Sequence, residues 1–163
     1  MNITRFDISA AVKERIAAET KSITEAHRKL ADIKDPIERI PLEGQIEDAQ
    51  DLIESLETVG PGVWADIHYR PGHSQIKELQ RQAIAAGPGQ TPLDSLTRIV
   101  LTLTTAWSLK RADGTPIPIS AEGIDDPETP AVVISVLATE LTRIVRRTDP
   151  NLLGRVSPPP RNG

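Results

Sequence analysis

The sequence predicts a mainly α protein: an N-terminal helical hairpin followed by a small helical domain with a minor strand and β-hairpin element. Three observations predict it. Apolar residues recur at spacings of three, four and seven over long stretches, as helices require. Aromatic residues make up only 2% of the chain (Phe6, Trp64, Tyr69 and Trp107). A core must therefore come from Leu, Ile, Val and Ala, which suits helix packing better than a β-sandwich. Proline and glycine clusters then cut the chain into segments of helix length. The expected divisions are a helical hairpin over 1–62, a small mostly helical domain over 63–148, and a flexible Pro-rich tail over 149–163. A chain of 163 residues is long enough to bury a core without staples.

The first helix is expected over 9–34, with Ser9 as N-cap and Val12, Ile16, Ile23, Ala26, Leu30 and Ile33 on one narrow stripe. Asp35-Pro36 ends it, because proline disfavours helix in the residue before it. A second helix is expected over 41–59 with Pro41 in its first turn. Leu42, Ile46, Ala49, Ile53 and Leu56 form its stripe. Gly60-Pro61-Gly62 stops it. Two helices joined by a short link predict an antiparallel hairpin.

Residues 63–70 alternate as a short strand, ended by Pro71-Gly72. A helix is expected over 74–86, and a more apolar one over 92–106 with Leu93, Leu96, Ile99, Val100 and Leu103 on one side. Asp113-Gly114 predicts a hairpin between 107–111 and 115–119, its second arm restricted by Pro116 and Pro118. The last helix is expected over 130–147, capped by Thr129, with Arg143, Arg146 and Arg147 near its negative end. Leu96, Val100, Leu103, Trp107, Leu137 and Leu141 are expected to form the core of this domain.

Composition excludes several functions. Without cysteine there is no disulfide, thiolate nucleophile or Cys-based zinc site. No apolar run reaches the length of a membrane span, and the first ten residues lack a signal-peptide core, so neither membrane insertion nor export is expected. The net charge of −4 is of the wrong sign for general nucleic-acid binding. The charge is uneven. Residues 41–59 hold six acids and no base, and residues 141–163 hold five arginines and one acid. Such poles can orient a protein partner.

No catalytic set emerges. His68, His73 and Asp66 are the only grouping with metal-ligand spacing, and a metal site there is not expected. The G-x-S-x-G elbow, the phosphate-binding G-x-x-x-x-G-K-[ST] loop and the G-x-G-x-x-G fingerprint are all missing. The Gly-Pro-Gly segments at 60–62 and 87–89 are turn punctuation, since proline lacks the N–H a phosphate cradle needs. The expectation is therefore no enzyme, no cofactor and no metal, but protein binding. The residues expected to carry it are Ile16, Ile23, Leu30, Ile46, Ile53 and Leu56 on the stripes, Glu47, Asp48 and Asp51 on the acidic helix, and Arg146 and Arg147 near the basic end. The narrow stripes allow self-association as readily as binding of another helix.

Residues 63–157 resemble the tail assembly chaperones of long-tailed bacteriophages. The resemblance rests on ordered features. The strand WADIHYRP and helix SQIKELQ come first, then an apolar helix running into Trp107 in LTTAWSL. The turn KRADGTP and the step Pro116-Ile117-Pro118-Ile119-Ser120 follow, and the helix in DDPETPAVVISVLATELTRIV leads to Pro150-Asn151. The family's usual Trp-Asn-Leu step is Trp-Ser-Leu here, and the hairpin is longer than the usual N-terminal part. The resemblance implies a non-catalytic helper in the cytoplasm of the bacterial host. It would keep the helical tape-measure protein soluble until tail-tube subunits polymerise around it. Two alternatives are a tail, neck or head-completion protein retained in the particle, and a small inhibitor that binds a host protein through its acidic helix.

Overall fold

The computed structural model describes residues 2–151. The chain is mainly α with a small antiparallel sheet, and it divides into two compact units. One is Ile8–Gly62. The other joins the residues up to Asp7 to those from Val63 onward.

The first unit is a helical hairpin. Helix α1 spans Ile8–Asp32 and α2 spans Pro36–Glu57. Ala26, Leu30 and Ile46 form the hairpin's buried seam, with Ile23 and Leu42 packed against it. At roughly 1.5–3 kcal/mol for each large aliphatic side chain removed from water, this seam is what makes two marginal helices persist as a pair. The tight end is secured by Arg39, whose Nη1 donates to the carbonyls of Leu30 and Ile33, both at 3.4 Å. The Leu30 carbonyl, in the last turn of α1, also accepts from the Ile33 N–H at 3.2 Å, and Ile33 lies just past the helix end, where backbone carbonyls lack helical donors.

The helix ends depart from the sequence expectations. Ser9 does not cap α1, which already begins at Ile8. Its hydroxyl instead donates to the Gly60 carbonyl at 2.8 Å and ties the open end of the hairpin together. Helix α2 starts at Pro36, not Pro41. Asp35 is its N-cap, accepting from the Ile37 N–H at 2.9 Å, and Pro41 lies inside the helix. Asp-Pro reads equally well as the stop of one helix and the capped start of the next, and here it is both. Pro41 costs α2 one donor, the N–H that would have bonded to the Ile37 carbonyl.

The second unit carries the sheet, in the order β1 (Ile3–Asp7), β2 (Trp64–His68), β3 (Thr104–Trp107). All pairings are antiparallel, with Ile3 opposite His68, Asp7 opposite Trp64 and Ala65 opposite Trp107. Strand β1 was not expected from the sequence, which assigned the first residues to the hairpin. Four of its five residues are exposed, so it lacks the alternation that marks a half-buried strand. Ala65 and Ile67 are buried, as the alternation in 63–70 requires.

Among the described residues four helices complete this unit: α3 (His73–Ala86), α4 (Pro92–Leu103), α5 (Ala121–Ile124) and α6 (Ala131–Thr148). Thr91 and Asp94 form a reciprocal capping box at the start of α4, with Pro92 in its first turn. Helix α4 packs against both α3 and α6. Val100, Leu103, Leu137 and Leu141 are fully buried, while Leu96 and Trp107 are half-buried at the edge of that core. The helix expected over 92–106 ends at Leu103 because Thr104–Trp107 turn into β3, where β-branched threonines suit a strand.

The Asp113-Gly114 turn is present. Gly114 has φ 85°, and the Arg111 N–H donates to the Thr115 carbonyl at 2.8 Å. Its arms pair through the bridge between Lys110 and Pro116, with the Ile117 N–H donating to the Leu109 carbonyl at 3.1 Å, and Pro116 and Pro118 have no N–H with which to extend the ladder. The Trp107 Nε1 donates to the Ile117 carbonyl at 2.7 Å and pins the second arm. Thr129 does not cap α6. Its buried hydroxyl donates to the Gly123 carbonyl at 2.6 Å, and Pro130 holds the cap position without a side-chain bond.

Candidate functional site

The expected contact residues fall into three groups. The stripe residues are largely used by the chain itself: Leu30, Ile46 and Leu56 are buried, and Ile16, Ile23 and Ile53 are half-buried. Leu30, Ile46 and Ile23 belong to the hairpin's own seam. A stripe narrow enough to serve a partner helix serves the neighbouring helix just as well, and α1 and α2 are that pair. Little of these six side chains is therefore left open to another partner.

The acids remain. Glu47, Asp48 and Asp51 are exposed on α2. The helical period puts them on the face that also carries Ile37, Ile40 and Gly44, on the side away from Ile46, Ala49 and Ile53. Ile37 is 76% exposed and Ile40 63%. Gly44 faces open space, with nothing within 4 Å of where a Cβ would stand. Glycine inside a helix costs about 1 kcal/mol relative to alanine, and nothing in the hairpin requires it here. The outer face of α2 therefore runs from apolar, through a bare backbone, to acidic. Sequence reading found the acids but missed Ile37 and Ile40, because it began the helix at Pro41.

The arginines line a groove in the second unit. Leu96, Ser135, Ala138, Thr139, Thr142, Arg143, Arg146 and Arg147 enclose about 540 Å3 between α4 and α6. Leu96 and Ala138 give it an apolar floor. Arg143 is paired with Glu140. Arg146 and Arg147 are exposed. Among the described residues neither has an ion-pair partner, and neither do Glu47, Asp48 and Asp51. The Thr142 hydroxyl is shut from solvent without a hydrogen-bond partner.

No known family profile, curated protein or solved structure matches the chain.

Of the group with metal-ligand spacing, Asp66 is engaged by Arg5. Both Asp66 carboxylate oxygens accept from Arg5, at 2.8 and 3.0 Å, and this hydrogen bonding holds the Asp66 carboxyl below its ordinary pKa. Among the described residues no three His, Cys, Asp or Glu side chains come together as metal ligands do. Among them, too, no helix is long and apolar enough to cross a membrane. The expected Pro-rich tail lies almost wholly outside the described residues.

Proposed function

We propose that this protein is a non-catalytic protein-binding helper of the phage tail assembly chaperone type, and that the outer face of α2 is its client-binding surface. The observation that carries the binding surface is the exposure of Ile37 and Ile40 beside Gly44 on a helix whose other face is already packed. The resemblance over residues 63–157 supplies the kind of client: a long helical protein with apolar seams that must be kept apart until it is sheathed. Such a protein is prone to associate wrongly before assembly.

The physical match is specific. Two exposed isoleucines give a helix something apolar to cover, and Gly44 lets its backbone approach. Glu47, Asp48 and Asp51 favour a client helix with Lys or Arg beyond its apolar stripe and disfavour an acidic one. A modest apolar area with a polar rim supports binding that can later be displaced.

The test is co-expression with the tape-measure protein of the same phage. The wild-type chain should hold that protein in the soluble fraction and co-purify with it, and the chain should be missing from mature particles. Ile40→Glu should abolish solubilisation without unfolding the hairpin, because Ile40 contributes little to the core. Aggregation of the tape measure despite abundant folded wild-type chain sinks the reading. Abundance in mature particles replaces it with a structural role.

A further inference from the structure

The two surfaces left open on this chain fit each other. On the outer face of α2, Ile40, Gly44 and Asp48 follow at intervals of four residues. On the groove face of α6, Ala138, Thr142 and Arg146 follow at the same intervals. At 1.5 Å per residue both triplets span about 12 Å. If the helices lie parallel, Ile40 meets the floor of Leu96 and Ala138. Gly44 lies over Thr142, where the missing Cβ permits close approach. Asp48 and Asp51 reach Arg146 and Arg147. An antiparallel arrangement would instead set the acids over the apolar floor and the isoleucines among the arginines.

We propose that α2 of one copy docks in the α4–α6 groove of a second copy. This rests on reading the outer face of α2 as a binding surface, and it adds a competitor to the client. All four charges are unpaired within the chain's described residues, so pairing them between copies breaks no existing ion pair. The contact uses different patches on the two partners, so it is heterologous. Each copy therefore offers one patch of each kind, so the contact either closes reciprocally in a pair or propagates into rings or open chains. Direct α2-to-α2 pairing is disfavoured, because acids would face acids or isoleucines. A client that takes α2 must displace the neighbouring copy.

Sedimentation velocity of the full chain, with no client present, tests this. The weight-average sedimentation coefficient of the wild type should rise with concentration in low salt. It should fall back to the monomer value at about 1 M salt, where screening acts within roughly 3 Å. The double variant Asp48→Arg/Asp51→Arg should be monomeric, as should Arg146→Glu/Arg147→Glu, each with association weakened about a hundredfold. Mixed in equal amounts, the two should associate again, because the reversed α2 of one fits the reversed groove of the other while the two unreversed halves pair as in the wild type. Gly44→Leu keeps every charge and should also block association by closing the approach. Circular dichroism melts of each variant separate misfolding from lost contact. A wild type that stays monomeric overturns the proposal. So does a mixture of folded charge-reversed variants that stays monomeric. Either result leaves client solubilisation to be judged separately by co-expression, so failure here is distinguishable from failure of the chaperone reading.

Discussion

Arg5 grips Asp66 across the first two strands, its Nε at 2.8 Å and Nη2 at 3.0 Å from the two carboxylate oxygens. The guanidinium carbon also lies 3.5 Å from the centroid of the Trp64 ring. The cation thus stacks on one β2 side chain and forks onto another, and an exposed edge strand is held by side chains as well as by its backbone ladder. Arg5→Lys should fail to substitute, because an ammonium offers neither the planar fork nor the stacking face. We expect Arg5→Lys and Arg5→Ala to lower the thermal midpoint by similar amounts, measured by circular dichroism, whereas Arg15→Ala on α1 should change it little.

The same pair predicts an acid response. The carboxyl of Asp66 is held below its ordinary value by hydrogen bonds from Arg5. That of Asp126 is held below it by the Glu128 N–H first and by Arg111 as well. A group with a depressed folded pKa stabilises the fold above its unfolded pKa, near 3.9, and loses that contribution as pH falls through the folded value. Stability should therefore be flat from about pH 7 to 5 and drop below about pH 4. Asp66→Asn should be less stable than the wild type at pH 7 and converge on it in acid. Equal differences at pH 7 and pH 3 would contradict the assignment.

Gly123 should tolerate no side chain. A Cβ there would stand 1.8 Å from the Pro118 carbonyl oxygen and 3.3 Å from a methyl of Ile117. The oxygen belongs to the backbone, so nothing flexible can yield. Gly123→Ala should cost about 3 kcal/mol by denaturant titration. At Gly44 the opposite is expected. With open space around it, Gly44→Ala should stabilise the isolated protein by about 1 kcal/mol through helix propensity. The same substitution should weaken client solubilisation, a separation of stability from binding that a purely structural glycine would not show.

Thr104 offers a third contrast. Its side-chain oxygen is buried without a hydrogen-bond partner. Thr104→Val keeps the branched shape β3 wants and removes the unsatisfied hydroxyl. It should leave stability unchanged or raise it by about 1 kcal/mol. A marked loss would mean that the hydroxyl has a partner in solution, such as an ordered water.

Helix periodicity made α1, α3, α4 and α6 legible from the sequence, because each buries one continuous face. The Asp113-Gly114 turn was legible for a local reason, its φ of 85°. Three features were not. Strand β1 carries little apolar signal and takes its order from pairing with residues far along the chain, which no local pattern reports. The start of α2 was misplaced because Pro36 and Pro41 both fit a first turn, and only the Asp35 cap decides between them. The α4–α6 groove could not be read because its lining comes from two helices whose packing is a tertiary fact. Arg146 and Arg147 were visible as a charge cluster, but Leu96 and Thr142 were not visible as their neighbours. The acids at 47, 48 and 51 were found by composition alone, since exposed charge needs no fold to be noticed.

The register of the first sheet pair places Asp7 directly opposite Trp64. Facing residues of an antiparallel pair lie about 5 Å apart, so the chain leaves the sheet unit and re-enters it at nearly the same point. The helical hairpin is thus a cassette spliced between two adjacent strands, its joints side by side. A two-residue turn could bridge that gap as in any β-hairpin. The hairpin can then be shortened, lengthened or exchanged for another without redesigning the sheet, so the reach and specificity of the α2 surface can change while the rest of the molecule keeps its fold.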